Sequence, residues 1–296
     1  MIEVCDLKKS FGNKIVLDKL SFAIDHNDTY GLLGPNGAGK TTTINIFCNL
    51  LDADAGMISI KGNPVSEKTK HLVGIVPQEI SVYQDLTCKE NLLFFAKIYG
   101  LCGSKKTERV NELIQTLNLN EYENTKVANL SGGWRRRINI AVALVHSPSI
   151  LILDEPTAGL DIEARYELWE LIKNLKDNGV SILLTTHQLE EAERLCSCIG
   201  ILQKGRIVAE GSLDTLRTRV PAKQLAVIET DDEQTLCNKA QSYGWEYRRY
   251  GGRLVLLIPD KYVLKDVVHK FEGIPLSSIS LQNVGLEHVY LEVTRE

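Results

Sequence analysis

The sequence predicts an α/β protein whose core is a largely parallel sheet, followed by a small α+β domain. Two observations carry this prediction. Short apolar segments typical of buried parallel strands alternate with helical segments over residues 1–220, and a glycine-rich loop joins one of these strands to a helix. After Pro221 the order changes to strand, helix, hairpin, helix and strand. We therefore place one domain at 1–220 and a second at 221–296.

The first strands fall into two kinds. KIVLDKLSFAI (14–24) alternates between polar and apolar residues, which predicts an antiparallel strand, and MISIKGNPV (57–65) predicts a strand and a turn. TYGLLG (29–34) and LVGIVPQ (72–78) are short and apolar, as in buried parallel strands. A helix should begin at Lys40, directly after the glycine-rich loop. The pattern predicts an antiparallel subdomain beside a parallel sheet.

The middle of this domain is predicted to be helical, and its last third returns to parallel strands. A helical subdomain is expected from about 79 to 148. SILILDEP (149–156) and VSILLTTH (180–187) are apolar strands, and the amphipathic segment 162–179 between them predicts a crossover helix. CIGILQKGRIVAEG (198–211) predicts a hairpin.

The C-terminal segments have the order βαββαβ, which matches a ferredoxin-like pattern. Two interpretations of this domain remain open. It is either a ligand-sensing regulatory module, or a domain that stabilises a dimer or acts as a spacer.

Composition excludes several classes of function. The net charge of −4 gives no broad positive field, so nucleic acid is not an expected partner. The longest apolar runs fall well short of the roughly 20 residues that cross a bilayer. The N-terminus has no secretory pattern, and the cysteines are scattered and odd in number, as in a reducing compartment. We therefore expect a soluble, cytoplasmic protein.

The loop after the first parallel strand fits the pattern G-x-x-x-x-G-K-[ST] between a strand and a helix. Its backbone N–H groups can converge on phosphate oxygens, helped by the positive end of the helix dipole. Lys40 is expected to reach the β- and γ-phosphates, and Thr41 to ligate Mg²⁺. The residues of this predicted phosphate loop are Gly34, Pro35, Asn36, Gly37, Ala38, Gly39, Lys40 and Thr41.

Two carboxylates follow the apolar strand ILIL. Asp154 ends the strand, where it can hold Mg²⁺ through water. Glu155 comes next and could polarise the water that attacks a γ-phosphate. The pair predicts hydrolysis of a nucleoside triphosphate.

Two more polar residues end parallel strands, where the ligands of such sheets gather. The amide of Gln78 could ligate Mg²⁺ or orient water, although its position alone does not distinguish these roles from a structural one. An isolated histidine such as His187 is more often structural than functional.

A second glycine-rich turn, LSGG, begins at Leu130 and leads into another predicted helix. The free N–H groups of its first turn would favour an anion. If this turn cannot reach the nucleotide of its own chain, it can reach one bound by a partner. The arginines that follow, Arg135–Arg137, are predicted to form a solvated helical face.

In their order along the chain, these motifs resemble those of the ATP-binding subunit of an ATP-binding cassette (ABC) transporter, over roughly the first 220 residues. The matching positions are Phe11 (A-loop), Gly34–Thr42 (Walker A), Gln78 (Q-loop), Leu130–Trp134 (signature), Ile150–Glu155 (Walker B), Ala158–Asp161 (D-loop) and His187 (switch histidine). Two positions depart from the family: Trp134 stands where glutamine is usual, and Phe11 where tyrosine is commoner.

The resemblance implies ATP and Mg²⁺ as cofactors and gives roles to several residues. Phe11 stacks on adenine, His187 contacts the γ-phosphate, and Gln78 links the nucleotide site to the segment that touches a membrane partner. The nucleotide-contacting set implied in this way also includes Thr42, Ser131, Gly132, Gly133 and Asp161.

The resemblance also implies partners. Two ATP-binding subunits form a head-to-tail dimer, a homodimer here, with two ATP molecules between phosphate loop and signature. Transmembrane permease subunits hold the dimer at the inner face of the cell membrane. VYQDLTCKENL (82–92) and LEHVYLEVT (286–294) are most similar to exporters of drugs, lipids or polysaccharides, including the daunorubicin-resistance type.

Two other classes are alternatives to an exporter ATPase. A soluble ABC protein of translation or DNA repair usually has two cassettes or long coiled-coil insertions, which the sequence lacks. A phosphate-loop switch or small-molecule kinase would transfer the phosphoryl group to an added acceptor, and the guanine-reading motif N-K-x-D is not found.

Overall fold

The chain folds into two compact units. The structure is a computed structural model that describes residues 2–295. The first unit ends at Ser212 and the second begins at Leu213. The division lies before the predicted boundary near 220 because the short helix Leu213–Arg217 packs on the C-terminal helix. Arg217 Nε also donates to the carbonyl oxygen of Val284 at 2.8 Å.

The strands of the first unit form two sheets, one antiparallel and one mainly parallel. They are β1 (Ile2–Phe11), β2 (Lys14–Ile24), β3 (Thr29–Leu33), β4 (Ala55–Ile60), β5 (Asn63–Pro64), β6 (Val73–Val76), β7 (Ile150–Asp154), β8 (Ser181–Thr186), β9 (Cys198–Gln203) and β10 (Arg206–Gly211). The antiparallel sheet has the order β2-β1-β4-β5. The other has the order β10-β9-β3-β8-β7-β6, with only the β9–β10 hairpin antiparallel.

Helices cover the parallel sheet and form a separate helical region. They are α1 (Lys40–Phe47), α2 (Cys88–Ile98), α3 (Gly103–Thr116), α4 (Gly132–Ala143), α5 (Ile162–Asp177) and α6 (Leu189–Leu195). As predicted, α1 begins at Lys40. Helix α2 begins with a capping box, in which Thr87 Oγ1 accepts from the Glu90 amide and Glu90 Oε2 accepts from the Thr87 amide. Such caps typically stabilise a helix by about 1 kcal/mol.

Strands β7 and β8 are buried along their whole length and contribute to two apolar cores. Leu151 and Leu153 pack with the helical region, whereas Ile150 and Ile152 pack with the antiparallel sheet. Successive side chains of a strand point to opposite faces, so a strand between two cores must be apolar throughout. The polar residues after these strands therefore emerge together at the carboxyl edge of the sheet.

The second unit is an antiparallel sheet with helices. In chain order its elements are α7 (Leu213–Arg217), β11 (Gln224–Glu229), α8 (Glu233–Ser242), β12 (Glu246–Tyr250), β13 (Arg253–Ile258), α9 (Leu264–Lys270), β14 (Ser278–Asn283) and α10 (Leu286–Val293). The strand order is β12-β13-β11-β14. Gly251 and Gly252 form the two-residue turn between β12 and β13 with φ of 57° and 84°. Such a turn requires positive φ, which glycine adopts without steric cost.

Among the described residues, no helix combines the length and the apolar character that a membrane span requires.

Candidate active site

The loop between β3 and α1 lies at the carboxyl edge of the parallel sheet and depends on glycine. Gly37 and Gly39 have φ of 81° and 116°, a region that other residues rarely adopt. A Cβ atom on Gly39 would lie 2.6 Å from Leu17 Cδ2. The loop can therefore curl tightly beneath α1 only with glycine at this position, which suits a cradle of backbone N–H groups around phosphate.

Lys40, the first residue of α1, is buried and points back over this loop. Its ammonium donates to the carbonyl oxygens of Gly34 at 2.7 Å and Pro35 at 3.2 Å. It also lies 3.3 Å from Glu155 Oε1. The cation is held between the loop and the carboxylate, within reach of a phosphate group seated in the loop.

A cleft of about 360 Å³ brings the loop together with the ends of two other strands. Gln78 follows β6, and Glu155 follows β7. The residues that line the cleft are Lys14, Val16, Asn36, Gly37, Gly39, Lys40, Thr41, Thr42, Gln78 and Glu155. Several residues predicted from separate motifs thus face one space.

Asp154, the last residue of β7, is buried and accepts a hydrogen bond from the Thr185 hydroxyl on the neighbouring strand. Burial raises the pKa of Asp154, and the hydroxyl groups of Thr185 and of Thr41 on α1, together with Lys40, oppose the rise. A carboxylate beside a threonine hydroxyl provides the hard oxygen ligands that Mg²⁺ prefers, so the residues fit this ion.

Glu155 is held in an unusual backbone conformation. Its φ is 47°, and its amide donates to the Thr185 carbonyl oxygen at 3.0 Å. A non-glycine residue in this region costs about 1–3 kcal/mol and persists where the surrounding structure enforces it. The carboxylate lies 3.1 Å from His187 Nδ1 and accepts from Gln78 Nε2 at 3.4 Å. Gln78, Glu155 and His187 thus converge on one point beside Lys40.

Phe11 ends β1 and lies opposite Lys14 across the β1–β2 hairpin. Its ring is 51% exposed, and the Lys9 ammonium lies 5.6 Å from the ring centre. Lys14 and Val16 of β2 line the cleft, whereas Phe11 does not. The hairpin therefore presents an exposed aromatic face at the border of the cleft.

The second glycine-rich turn lies elsewhere. Ser131 is the N-cap of α4, and its side chain makes no capping hydrogen bond. Asp161 is the N-cap of α5, where its Oδ1 accepts from the Ala164 amide at 2.8 Å. A separate cleft of about 160 Å³ lies between these two helix starts and shares no lining residue with the first cleft. Ser131, Gly132, Gly133 and Asp161 are therefore not brought to the phosphate loop of their own chain.

Close packing requires glycine at position 133 of this turn but not at position 132. A Cβ atom on Gly133 would lie 2.9 Å from Ala164 Cβ, and one on Gly132 would lie 3.5 Å from Leu160 Cδ2. Helix α4 can therefore begin close to the segment that leads into α5. The first-turn amides of α4 are left without a side-chain cap, in the arrangement that favours an anion.

The prediction of a solvated arginine face is wrong. Arg136 is 4% exposed and donates from Nη1 to the Pro77 carbonyl oxygen at 2.9 Å. Arg135 Nη2 donates to the Ala128 carbonyl oxygen at 2.6 Å. A guanidinium on a long stem can reach distant carbonyl groups, so consecutive arginines can each find a separate acceptor. Arg136 thereby ties α4 to the residue before Gln78, a link that the sequence did not reveal.

Trp134 packs between two side chains. Its ring centre lies 4.3 Å from that of Tyr122, and the Arg137 guanidinium carbon lies 4.4 Å from the indole. Arg137 Nη2 in turn donates to Glu167 on α5 at 3.0 Å. The tryptophan is thus part of the packing that joins the start of α4 to its neighbours.

A phosphate loop after a parallel strand, a lysine on the next helix and a carboxylate pair at the end of a neighbouring strand define a P-loop nucleotide-binding protein. Comparison with known proteins identifies the family. A model of the ABC transporter family matches residues 17–158. The linearmycin resistance ATP-binding protein LnrL of Bacillus subtilis is 40% identical over 74% of this chain and 72% of that protein.

Further relatives cover nearly the whole chain. A Nod factor export ATP-binding protein I of Burkholderia lata is 37% identical over 99% of this chain and 96% of its own length. Among solved structures, an ATP-binding subunit of an ABC transporter is 34% identical with a TM-score of 0.66, covering 74% of this chain and 92% of that one. The ATP-binding cassette MJ0796, in a dimeric post-hydrolysis state with ADP and Pi, is 25% identical with a TM-score of 0.64, covering 72% and 98%.

The chain therefore belongs to the ATP-binding proteins of ABC transporters. It is an ATPase that couples ATP hydrolysis to transport, and it is an ATP-binding subunit of the exporter type. The predictions of an ABC ATPase and of ATP as its nucleotide are confirmed.

Proposed function

We propose that two copies of this chain bind two ATP molecules between them, each held by the phosphate loop of one copy and by Ser131–Gly133 of the other. The observation that carries the proposal is the separation of two phosphate-binding features into two clefts without a common lining residue. The first-turn N–H groups of α4 have no side-chain cap and favour an anion, which the phosphate loop of their own chain does not bring to them. The dimeric structure of MJ0796, which is bound to ADP and Pi, supports a dimer of this chain with bound nucleotide.

Within each site, the residues around Glu155 would carry out hydrolysis. Glu155 polarises the attacking water, while His187 and Gln78 hold its carboxylate through the contacts at 3.1 Å and 3.4 Å. Lys40 neutralises the β- and γ-phosphates, and Phe11 stacks on adenine.

The cofactor Mg²⁺ fits the oxygen ligands beside the phosphate loop. Thr41, Gln78 and Asp154 would hold it, and the bound ion would neutralise charge on the β- and γ-phosphates. The Thr41 hydroxyl is close enough to Asp154 to lower the pKa of that carboxyl group, and this proximity of two of the ligands supports the assignment.

Binding and hydrolysis would set the state of the dimer. The γ-phosphate contacts Ser131–Gly133 only in the closed dimer, so ATP favours closure by its stronger binding to that state. Hydrolysis removes this preference and allows opening. Closure and opening would then drive two states of the transmembrane permease subunits, with this chain at the cytoplasmic face of the membrane. The names of the relatives, which refer to export and to resistance, support an exporter as the complex served.

The second unit would be an accessory domain with a ferredoxin-like fold. The order βαββαβ of its central elements and the strand order β12-β13-β11-β14 support this fold. The alignment with the Burkholderia lata relative extends over 99% of the chain, so it includes this unit.

A Glu155→Gln variant tests the proposed dimer. This variant should bind ATP without hydrolysing it, and so accumulate in the closed state. In size-exclusion chromatography with light scattering, we expect a dimer with ATP and Mg²⁺ and a monomer without ATP. The double variant with Ser131→Arg is the matched control and should remain a monomer. A Glu155→Gln variant that binds ATP and remains a monomer would contradict the proposal.

A further inference from the structure

A buried polar cluster lies behind the residues proposed for hydrolysis. We call it the Glu191 cluster, and it lies at the junction of β7, β8, α5 and α6. Its carboxyl group and hydroxyl groups are almost completely buried, with exposures of 0% for Glu191 and Thr157 and 1% for Thr186. None of its members lines the cleft at the phosphate loop. The members are Thr157, Trp169, Thr186, Gln188 and Glu191.

Hydrogen bonds hold this cluster in one arrangement. Thr157 Oγ1 donates to Glu191 Oε1 at 2.6 Å, and Trp169 Nε1 donates to the same oxygen at 3.2 Å. Thr157 Oγ1 also accepts from Gln188 Nε2 at 3.3 Å. The threonine hydroxyl thus uses its single proton for Glu191 and a lone pair for Gln188, which fixes its orientation.

The cluster also holds the chain directly after His187. The Gln188 amide donates to the Thr186 hydroxyl at 2.9 Å, and the Gln188 side chain donates to Thr157, which in turn donates to Glu191. Gln188 is in turn the N-cap of α6, the helix that carries Glu191. The backbone from Thr186 to Gln188 is therefore connected to Glu191 through Gln188, the residue after the histidine.

The cluster is also hydrogen-bonded to the turn after Glu155. Thr157 follows Glu155 by two residues, and the Ala158 amide donates to the Glu155 carbonyl oxygen at 3.1 Å. The Leu160 amide then donates to the Thr157 carbonyl oxygen at 3.2 Å, one residue before the α5 cap Asp161. One buried carboxyl group thus connects the turn that carries Glu155 with the segment that carries His187.

We propose that Glu191 is a positioning residue for ATP hydrolysis, which sets the placement of Glu155 relative to His187 by holding the Thr157 hydroxyl where it bonds to Gln188. The proposal rests on the roles proposed above for Glu155 and His187. The hydrogen bonds that Thr157 makes to Glu191 and to Gln188 are directional, so they specify one arrangement of these segments, whereas an apolar contact of the same size tolerates shifts. Displacement of a reacting group by about 1 Å can cost about 100-fold in rate, so this restraint bears directly on turnover.

Substitutions at both ends of the link test the proposal in the full chain. Glu191→Ala and Thr157→Val remove the link, and we expect kcat to fall by about tenfold or more while KM for ATP stays within about twofold. Thr157→Ser keeps the hydroxyl and should retain kcat within about twofold. The matched control is Trp169→Phe, which removes the other donor to Glu191 Oε1 from the α5 side. It should lower Tm and leave kcat unchanged.

The two possible roles of Glu191 predict different results. If Glu191 only stabilises the fold, Thr157→Val will behave like Trp169→Phe, with a lower Tm and an unchanged kcat, and the proposal is overturned. If Glu191→Ala does not fold, the comparison of Thr157→Val with Thr157→Ser decides the matter. Glu155→Gln, measured alongside, separates the role proposed for Glu155 from the role proposed for Glu191. Normal turnover in Glu155→Gln refutes the role of Glu155 itself. An inactive Glu155→Gln together with a fully active Thr157→Val refutes only the role of Glu191.

Discussion

The phosphate-loop cleft and the cleft at Ser131 are built in opposite ways. At the first, charged and polar side chains already contact one another: Lys40, Gln78 and His187 all reach Glu155. At the second, the N-cap serine makes no capping hydrogen bond and two glycines expose the first turn of α4. The first cleft is thus assembled from side chains of one chain, whereas the second leaves the first turn of α4 without a side-chain cap, as expected under the proposal that it binds the nucleotide of another copy.

The largest effect on ATP turnover is expected at Glu155, which three other side chains contact. Glutamine at position 155 cannot take up a proton, so Glu155→Gln should lower ATP turnover by about 100-fold or more. ATP binding should persist, because the phosphate loop remains intact. Phosphate release and fluorescent-nucleotide binding measure the two quantities, with Glu121→Gln, at an exposed residue, as the control. Turnover near the wild-type level would show that the first cleft does not depend on Glu155.

Blocking the second cleft should have a comparable but more selective effect. Arginine at position 131 places a long side chain over the amides of α4, so Ser131→Arg should lower turnover by about 100-fold. Binding of ATP to the phosphate loop should change by less than about twofold. The control is Ser104→Arg, at an exposed position on α3. Parallel loss of binding and turnover, with an unchanged Tm, would mean that the two clefts are not separate.

A smaller effect is expected at the border of the first cleft. Phe11→Ala removes the exposed ring, and since stacking on a base contributes about 1–3 kcal/mol, KM for ATP should rise at least about fivefold. Phe11→Tyr keeps the ring and should leave KM nearly unchanged. Steady-state ATPase kinetics measure both variants. Equal KM values for Phe11→Ala and wild type would show that Phe11 does not stack on adenine.

The smallest effect on turnover is expected at Trp134. Trp134→Gln loses the contacts with Tyr122 and Arg137, which should destabilise the first unit by about 1–2 kcal/mol, while turnover stays within about twofold. Thermal unfolding measures the stability, and an ATPase assay measures the turnover. Trp134→Phe should retain most of the stability. A large loss of turnover without loss of stability would instead indicate that the indole contacts the nucleotide.

The sequence predicted the first cleft well because strand periodicity is a local signal. Once β3, β6, β7 and β8 are recognised as parallel strands, Gln78, Glu155 and His187 must emerge at the same edge of the sheet. The same reasoning predicted the helix that begins at Lys40 and the antiparallel strand at 14–24. No distant contact is needed for these inferences.

Features that depend on distant contacts could not be predicted. Arg136 reaches the Pro77 carbonyl oxygen 59 residues earlier in the chain, and Glu191 accepts from Thr157 34 residues earlier. In the sequence both look like ordinary charged helical residues. The predicted boundary near 220 lies after the observed start of the second unit at Leu213. This start depends on the packing of α7 on α10, which joins segments about 70 residues apart in the chain.

Under the proposed function, the cleft at Ser131 completes the nucleotide site of a second copy. This can be tested by mixing two inactive chains, one with Lys40→Ala and the other with Ser131→Arg. A mixed dimer would contain one site with both defects and one site with an intact phosphate loop facing an intact Ser131–Gly133 turn. The mixture should recover ATPase activity that neither chain has alone. A mixture that remains as inactive as its components, while mixed dimers are detected by mass, would contradict it.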